Sequence, residues 1–584
     1  MTNKETPIVK NISYSSEVLL STVNDWELLP QSKYLLNYPT VYIINDKNKK
    51  DEFEVYVGET ADIKNRTTQH LINDSKLKPY WSDFNKSPTS SMFVIGHPFF
   101  NKSLTLDIEN KLMQYLTSVD NVVSLFNSRT NQQNEYYTSD KLDEIFTAIW
   151  SKLHKQNSKL FPIESIIKDS AIFKASPFHK LTNEQNEAKE NILNKIQLAI
   201  HKETENQLIM VEGEAGSGKT VLMSSLFFEL KQLKILKSDS SDSINIHLLV
   251  NHDQQLKVYR QIAQKLGLEK KGNTIINKPT SFILNNSPTD KVDVVIIDEA
   301  HLLLTQGKMS YKGEGHLKDI RERAKIVVAV FDEKQILSRE QVWEYNTLNE
   351  LMNESKEQNN HIFLKNQLRI NGGIETINWI RKLIDTQTVE NIPIDSKGYE
   401  IKVFDTPKEL EKEIKIKAKN YNSGISRILA TFDWPYNGQK SPVDELYWKV
   451  KIGDWEMPWN LQLRGERGQS KLSWAEQNHT INEVGSTFTI QGFDLNYAGV
   501  IIGPSVKFRN GEIIFDKTES KNIKATQNRT LSDKTKQNFA EDLLKNELNV
   551  LLTRGVNGLY LYAVDDELRQ ALKLAAKGEI KFGK

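Results

Sequence analysis

The sequence of 584 residues predicts an α/β protein with two lobes built on parallel sheets, preceded by a smaller α+β domain. From Leu181 onward, short apolar runs alternate with helical patterns, which is typical of parallel α/β layers. The runs form two groups, at 208–331 and 361–564. Before residue 155, strand patterns of period two mix with helical patterns. The predicted divisions are a first domain at 1–155, a proline-punctuated linker at 156–177, a first lobe at 178–345 and a second lobe at 346–584.

The composition restricts the chemistry that the chain can perform. Hydrophobic residues make up 38% of the sequence, which is enough for several cores, and cysteine is absent. Disulfides, thiol catalysis and iron–sulfur clusters are therefore excluded. The polar N-terminus lacks the apolar core of a signal peptide, and no apolar run reaches the length of a membrane span. We expect a cytoplasmic protein without a membrane partner, with surface insertions at the polar segments 234–243 and 516–540.

A phosphate loop is the most specific motif in the chain. The apolar run at 208–211 leads into Gly-Glu-Ala-Gly-Ser-Gly-Lys-Thr, which matches G-x-x-x-x-G-K-[ST] between a strand and a helix start. We expect ATP here, with Lys219 on the β- and γ-phosphates and Thr220 on Mg²⁺. The alternative is a glycine-rich turn with an unrelated lysine. The predicted nucleotide-binding residues of the loop are Gly213, Glu214, Ala215, Gly216, Ser217, Gly218, Lys219 and Thr220.

Two carboxylates follow a second apolar strand, at 292–298. The carboxyl end of a parallel strand opens into the crevice where ligands bind, and it delivers Asp298 and Glu299 there. ATP hydrolysis needs one carboxylate near Mg²⁺ and another beside the attacking water. We assign Asp298 to the metal and Glu299 to the water. The alternative is a strand that only happens to end in acidic residues.

A series of further motifs resembles superfamily 1 helicases, in the same order along the chain. LTNEQ resembles the adenine-reading motif, and FDEKQ, LKNQLR, STFTIQGFD and NVLLTRG resemble the third to sixth motifs. The resemblance implies two RecA-like lobes that close on ATP, with arginines supplied by the second lobe. The alternatives are ordinary surface salt bridges and solvated amides. The implied residues are Gln185 for adenine, Gln335, Arg369 and the arginine finger Arg554 for the γ-phosphate, and Gln491 with Gly492 in the fifth motif.

Within superfamily 1, the segments ATFDW at 430–434 and IQGFDLNYAGVIIG at 490–503 are similar to the Schlafen group 3-like helicase family. The resemblance extends from about residue 178 to the C-terminus. The sequence has no long insertion that would serve as a strand-splitting domain, which favours translocation or ATP-gated remodelling over strong unwinding. Trp434 and Tyr436 are candidates for stacking on bases, and burial in a core is the alternative.

The N-terminal domain carries groups suited to phosphodiester cleavage. Two period-two strand patterns bracket a polar turn, which predicts a hairpin presenting Tyr42 and Tyr56, and the next segment presents Arg66 and His70. A phenol can take or relay a proton from water, and an arginine can hold the phosphate. The alternatives are cross-strand packing for the tyrosines and a surface position for His70.

Glu109 supplies a carboxylate for a metal ion. It lies beside an apolar stripe at helical spacing over 108–116, and the alternative is a solvated helix face.

Together these residues resemble the GIY-YIG nuclease family over about residues 38–130. The two motif halves fall on 40–42 and 56–58, with Thr40 in place of the first glycine, and the late asparagine falls on Asn127. The resemblance implies Tyr42 as general base, Tyr56 and Arg66 on the scissile phosphate, and His70 assisting proton transfer. It also implies that Glu109 binds Mg²⁺ or Mn²⁺.

The two halves together predict an ATP-dependent DNA helicase or translocase fused to a metal-dependent endonuclease. Its ligands would be ATP, Mg²⁺ and nucleic acid, with DNA favoured over RNA. The pairing of domains suggests defence against invading DNA or DNA repair. Two alternatives stay open: an RNA-directed enzyme of the same architecture, and an ATP-gated nucleic-acid sensor with little cleavage.

Overall fold

The computed structural model describes residues 6–580 apart from 16–17, 19–24, 27–30, 128–132, 134, 234–235, 238–239, 270–273, 308–310, 420–423 and 466–471. The chain divides into two compact units. The first unit comprises Met1–Thr182, Ser224–Lys234 and Val258–Ile275, and the second comprises Asn183–Met223, Ile235–Lys257 and Ile276–Lys584. Of the insertion predicted at 234–243, four residues lie outside the described part of the chain.

A five-stranded sheet forms the centre of the first unit. Its strands are β1 (Ile8–Ser13), β2 (Thr40–Lys47), β3 (Phe53–Thr60), β4 (Ser91–Gly96) and β5 (Val122–Leu125), in the order β1-β4-β2-β3-β5. All neighbours are antiparallel except β3 and β5. The predicted hairpin is confirmed as β2–β3, whose register places Tyr42 opposite Gly58.

Helices cover this sheet and complete the first core. They are α1 (Lys33–Leu36), α2 (Ile63–Ile72), α3 (Pro79–Lys86), α4 (Lys102–Thr117), α5 (Leu142–Gln156), α6 (Glu164–Asp169) and α7 (Ala171–Lys174). The core includes Leu160, Phe161 and Ile167. The prediction of a linker at 156–177 is therefore wrong. The polar residues and prolines of that segment separate short apolar pieces, and those pieces are buried.

A six-stranded parallel sheet forms the first lobe of the second unit, in the order β10-β9-β11-β12-β6-β13. The long central strands β6, β11 and β12 are mostly apolar because helices cover both faces of a parallel sheet. The elements of this half are α8 (Asn183–His201), β6 (Gln207–Gly213), α9 (Lys219–Gln232), β7 (Leu236–Lys237), β8 (Ser240–Ser243), β9 (Ile246–Val250), α10 (Asp253–Lys265), β10 (Ile276–Asn277), α11 (Pro279–Asn285), β11 (Val292–Asp298), α12 (His316–Arg321), β12 (Ala324–Phe331), α13 (Tyr345–Glu357) and β13 (His361–Leu364).

A five-stranded parallel sheet forms the second lobe, in the order β14-β24-β19-β15-β18. The predicted α/β class with two parallel-sheet lobes is confirmed. The elements are α14 (Ile374–Asp385), β14 (Glu400–Val403), α15 (Pro407–Lys419), β15 (Arg427–Ala430), β16 (Lys449–Ile452), β17 (Trp455–Pro458), β18 (Val484–Gly485), α16 (Thr487–Ile490), β19 (Leu495–Ile502), β20 (Val506–Arg509), β21 (Glu512–Phe515), α17 (Ile523–Thr526), β22 (Arg529–Thr530), β23 (Lys536–Gln537), α18 (Ala540–Leu552), β24 (Gly555–Ala563) and α19 (Asp566–Lys577).

One segment lies elsewhere than the sequence predicts, and one predicted surface insertion is anchored to the first lobe. The run at 361–364, grouped with the second lobe, is β13, which pairs with β6 in the first sheet. The segment at 516–540, predicted as a surface insertion, is anchored by Arg529, which is 3% exposed and donates to the carbonyl of Arg339 at 3.2 Å. A buried guanidinium needs acceptors, and the backbone of the first lobe supplies them.

In the described part of the chain, no helix combines the length and the apolar character needed to cross a bilayer.

The second lobe buries an acidic side chain. Glu547 on α18 accepts hydrogen bonds from the backbone N–H of Phe432 and from Asn522 Nδ2, the latter at 3.1 Å. Burial, reinforced by the nearby carboxylate of Asp433, raises the pKa of Glu547 from 4.5 to about 8.

The substitution Glu547→Gln is expected to reduce the pH dependence of stability. A raised pKa means that the folded state retains a proton that the unfolded state releases. The free energy of unfolding therefore falls as pH rises from 4.5 to about 8. Urea unfolding at about pH 5 and about pH 8.5 measures how far the free energy of unfolding falls between the two pH values. This fall should be smaller in Glu547→Gln than in the wild type, by about 1 kcal/mol or more. Glu541→Gln, at an exposed position of α18, is the control. Equal pH dependence in both variants would contradict the expectation.

Candidate functional site

The phosphate loop joins the end of β6 to the start of α9, as predicted. Gly216 and Gly218 have φ of +91° and +76°, which side chains other than glycine rarely adopt. Neighbours also approach closely. A Cβ at Gly216 would lie 2.7 Å from Arg369 Cβ, and one at Gly218 would overlap Gln185 Nε2. Gln185 donates from Nε2 to the carbonyl of Ser217 at 3.1 Å, so it lies against the loop.

Lys219 begins a chain of contacts that crosses between the lobes. Its ammonium donates to the carbonyl of Glu214 at 2.9 Å and to Asp332 Oδ2 at 3.0 Å. Gln335 Nε2 donates to the same Asp332 oxygen at 2.6 Å, and Gln335 Oε1 accepts from Arg554 at 3.2 Å. We call Lys219, Asp332, Gln335 and Arg554 the interlobe contact chain. It joins the phosphate loop to the start of β24 through the residues that follow β12.

Burial makes the contacts of Arg554 strong. The side chain is 0% exposed and also donates from Nε to the carbonyl of Val550 at 3.0 Å. Burial, together with the positive charge of Arg369, lowers the pKa of Arg554. Its hydrogen-bond acceptors are neutral carbonyl and amide oxygens, while the nearby carboxylates of Asp494, Glu299 and Asp332 favour its charged form.

Asp298 and Glu299 end β11 inside the same crevice. Asp298 is 0% exposed, and Glu299 follows it with a left-handed φ of +55° that turns the chain away from the strand. His301 Nε2 lies 3.1 Å from Glu299 Oε2. Burial lowers the pKa of His301, so its imidazole is neutral at neutral pH.

Gln255, which the sequence did not single out, connects the two residues assigned to Mg²⁺. From α10 its Nε2 donates to Asp298 Oδ2 at 2.6 Å and to Thr220 Oγ1 at 3.3 Å. Both oxygens thus contact one amide, and a carboxylate and a hydroxyl are both ligands that Mg²⁺ accepts. The polar run NHDQQ after β9 was the available signal.

The remaining predicted residues differ in their placement. Arg369 follows β13 of the first sheet, so its assignment to the second lobe is wrong, and it forms an ion pair with Asp494. Gln491 is 4% exposed, and Gly492 lies beside Gln255. Trp434 and Tyr436 belong to an apolar cluster of the second lobe, and the indole of Trp434 donates to Lys451. The core alternative is therefore what the structure shows for Trp434, whereas Tyr436 is half-buried at the edge of the cluster.

A second cluster lies in the first unit, around the β2–β3 hairpin. Tyr42 is 1% exposed, and its ring stacks with that of Tyr56 at a centroid distance of 6.1 Å. The hydroxyl of Tyr42 lies 2.8 Å from His70 Nε2 on α2. Burial raises the pKa of both tyrosines, and the guanidinium of Arg66 partly opposes this. His70 is buried, so its predicted alternative as a surface residue is excluded.

Glu109 completes this cluster from α4. It is 6% exposed, and its Oε1 accepts from Asn127 Nδ2 at 2.8 Å. The same Asn127 amide donates to the carbonyl of Val57 at 2.6 Å, which ties the carboxylate to β3. Within the described residues, no group of three or more His, Cys, Asp and Glu side chains could hold a metal. One carboxylate completed by waters is nevertheless an ordinary environment for Mg²⁺, so the residues present fit that ion.

The two parallel-sheet lobes, with a phosphate loop in the first, define a nucleotide-binding protein of the helicase type. The chain belongs to the Schlafen group 3 DNA/RNA helicase domain family, whose model matches residues 206–565. A helicase domain implies ATP, usually with Mg²⁺. The helicase part of the predicted resemblance is therefore confirmed. The GIY-YIG domain lies outside the matched residues and stays a prediction.

One relative and several solved structures are similar to the chain. Uncharacterized protein YPL245W of Saccharomyces cerevisiae is 34% identical over 401 residues, which cover 63% of this chain and 84% of that protein. Arterivirus nonstructural protein 10, a helicase, matches with TM-score 0.26 and 12% identity over 65% of this chain and 64% of its own. The PRRSV helicase matches with TM-score 0.27 and 10% identity, over 65% of this chain and 56% of its own. The arterivirus helicase in complex with DNA matches with TM-score 0.26 and 13% identity, over 65% of this chain and 65% of its own. The chain thus spans less than two thirds of each of these solved chains.

The substitution Gly58→Ala is expected to destabilise the first unit. A Cβ at Gly58 would lie 2.5 Å from the Tyr42 Cζ and hydroxyl, because the two residues face each other across the hairpin. Overpacking of this kind costs about 1–3 kcal/mol in the free energy of unfolding, which denaturant unfolding can measure. In a Tyr42→Ala background the same substitution should cost much less. An equal cost in both backgrounds would show that the phenol is not the constraint.

Proposed function

We propose that the second unit hydrolyses ATP and uses it to move along a nucleic-acid strand. The observation that carries this proposal is the interlobe contact chain, which holds a cation from each lobe on neutral or carboxylate acceptors. The γ-phosphate oxygens of ATP would compete for Lys219 and Arg554, since charge-assisted bonds to phosphate are stronger than bonds to an amide. ATP binding would then draw both lobes together, and hydrolysis would release them.

The hydrolytic roles follow from the positions of the crevice residues. Thr220 and Asp298 are the residues that would hold Mg²⁺, which when bound neutralises charge on the phosphates. Glu299 would orient and deprotonate the attacking water, with His301 fixing the carboxylate. Arg554 would stabilise the charge that develops on the γ-phosphate, and Arg369 would add a second cation beside the phosphate loop. Gln185, Gln491 and Gly492 would complete the nucleotide site.

The first unit would act as a metal-dependent endonuclease. This half of the proposal is supported by the convergence of two phenols, a guanidinium, an imidazole and a carboxylate around one hairpin. Arg66 and Tyr56 would hold the scissile phosphate, and Tyr42 would take the proton of the attacking water. Glu109 would hold Mg²⁺ or Mn²⁺, which supplies Lewis-acid polarisation of the phosphate when bound. DNA is the favoured substrate, with defence against invading DNA or DNA repair as the setting.

Lys219→Ala and Arg554→Lys are both expected to lose ATP turnover. Lys219→Ala removes the cation on the phosphate loop. Arg554→Lys keeps the positive charge but loses the planar guanidinium, which can donate two hydrogen bonds to one phosphate. An arginine finger contributes about 10³-fold or more to the rate of phosphoryl transfer, so losses of that order are expected in steady-state ATPase assays without nucleic acid. Arg464→Ala, at an exposed position, is the control. Normal turnover in Arg554→Lys would remove the arginine finger from the proposal.

Glu109→Ala is expected to abolish cleavage while leaving ATP turnover intact. The assay uses labelled single- and double-stranded DNA and RNA, with and without Mg²⁺ and ATP. Glu144→Ala, which removes an exposed carboxylate of α5, is the matched control and should cut like the wild type.

Each outcome of that assay decides between the candidate functions. Faster cutting of DNA than of RNA supports the favoured substrate, and the reverse supports an RNA-directed enzyme. Equal cutting by the wild type and Glu109→Ala would remove the nuclease assignment. If the wild type hydrolyses ATP but cuts none of the four substrates, the ATP-gated sensor replaces the nuclease.

A further inference from the structure

We infer that Tyr42, His70 and Asp74 form a proton relay, in which His70 receives the proton that passes through Tyr42 and Asp74 is the positioning residue. This inference rests on the proposed nuclease function and adds Asp74 to its site. The structure places the three side chains in sequence. Tyr42 hydroxyl and His70 Nε2 are 2.8 Å apart, and His70 Nδ1 and Asp74 Oδ2 are 2.6 Å apart.

The position of Asp74 determines which tautomer His70 adopts. A carboxylate only accepts, so Nδ1 must carry a proton and donate it to Asp74. Burial, with Arg66 nearby, lowers the pKa of His70 to about 4, so the ring carries only that one proton at neutral pH. Nε2 is then an unprotonated acceptor, and the Tyr42 hydroxyl must donate to it. This is the arrangement in which an orienting carboxylate prepares an imidazole as a base.

The packing around His70 prevents its imidazole ring from flipping. Its ring stacks on the indole of Trp81 at 3.8 Å with an interplanar angle of 15°, and both side chains are buried. Asp74 opens the short 3₁₀ helix Asp74–Lys76 directly after α2, so it lies one turn beyond His70 and keeps 20% of its side chain exposed. The carboxylate therefore keeps contact with solvent, whereas the imidazole that it contacts is enclosed.

The relay resolves a difficulty in assigning Tyr42 as the base. Burial raises the pKa of Tyr42 well above its usual range, so the residue is a neutral phenol and has no free charge with which to attract a proton. A neutral phenol can still take a proton from water if it gives up its own at the same time. His70 Nε2 is the acceptor within hydrogen-bond distance of that proton.

In the proposed hydrolysis step, Tyr42 passes one proton from the attacking water to His70. The water oxygen forms a bond to phosphorus as its proton moves to Tyr42 Oη, and the phenolic proton moves to His70 Nε2. The resulting imidazolium is stabilised by the Asp74 carboxylate. The bond from phosphorus to the leaving oxygen breaks with its electron pair on that oxygen, which takes a proton from solvent. His70 then returns its extra proton to solvent, and no oxidant or reductant is involved.

The test combines a spectroscopic and a kinetic measurement on the full chain. Selective ¹⁵N-histidine NMR should show His70 protonated at Nδ1 and unprotonated at Nε2 in the wild type. Asp74→Asn should lose this single tautomer, and its cleavage rate should fall about 100-fold, the usual contribution of a positioned base. Asp74→Glu, which restores a carboxylate, should recover part of both signals.

Two controls separate the relay from a structural effect. Asp83→Asn removes an exposed carboxylate of α3 and should change neither the tautomer nor cleavage. ATP turnover and the unfolding midpoint of Asp74→Asn should match the wild type. A wild-type tautomer and wild-type cleavage in Asp74→Asn would overturn the relay even if Glu109→Ala is inactive. If Glu109→Ala cuts normally, the nuclease proposal fails, and the NMR result still decides whether Asp74 sets the tautomer.

Discussion

The interlobe contact chain is the interaction on which the architecture of the second unit depends. Lys219 and Arg554 are both buried, and a buried cation is strongly destabilising unless acceptors surround it. Asp332 and Gln335 supply those acceptors from the end of β12, the strand that pairs with β6. The two lobes are therefore held in register by groups that also form the nucleotide crevice. A polyphosphate would satisfy the same cations, so binding and lobe geometry are linked by a shared set of donors.

The nuclease candidate follows a similar principle on a smaller scale. Tyr42 and His70 are buried polar groups, and each is satisfied by the other. Gly58 leaves the space that the phenol occupies, as Gly216 and Gly218 leave space for the side chains that pack against the phosphate loop. In both units a glycine is required where another side chain packs directly against the backbone. This requirement is steric.

The sequence predicted the features that local patterns determine. The phosphate loop, the β2–β3 hairpin and the carboxylates after β11 each depend on a contiguous stretch, and the structure has all three. The short run at 361–364 was misplaced because four apolar residues fit an edge of either sheet equally well, and the position of Arg369 followed that error. Leu160 and Phe161 were hidden among polar residues in the predicted linker.

Contacts between distant segments were beyond the reach of such patterns. Gln255 meets Asp298, and Lys219 meets Asp332, only after strands separated by many residues become neighbours in the first sheet. In the sequence, Asp74 is one of several charged residues in a polar segment. Its proposed role depends on its contact with His70, which Trp81 helps to enclose. The candidate roles of Gln255 and Asp74 therefore depend on contacts between segments that local sequence patterns do not show.

Thr40 stands where the resemblance to the GIY-YIG family would place a glycine. Thr40 begins β2 in extended conformation, is buried, and pairs with Thr60 across the hairpin. A β-branched residue suits such a position, because an extended strand imposes no left-handed φ and its side chain packs on the pleated surface. Gly58 differs because the ring of Tyr42 occupies the volume of its missing side chain. Threonine at position 40 is therefore compatible with the hairpin, whereas Gly58 leaves the space that the phenol occupies.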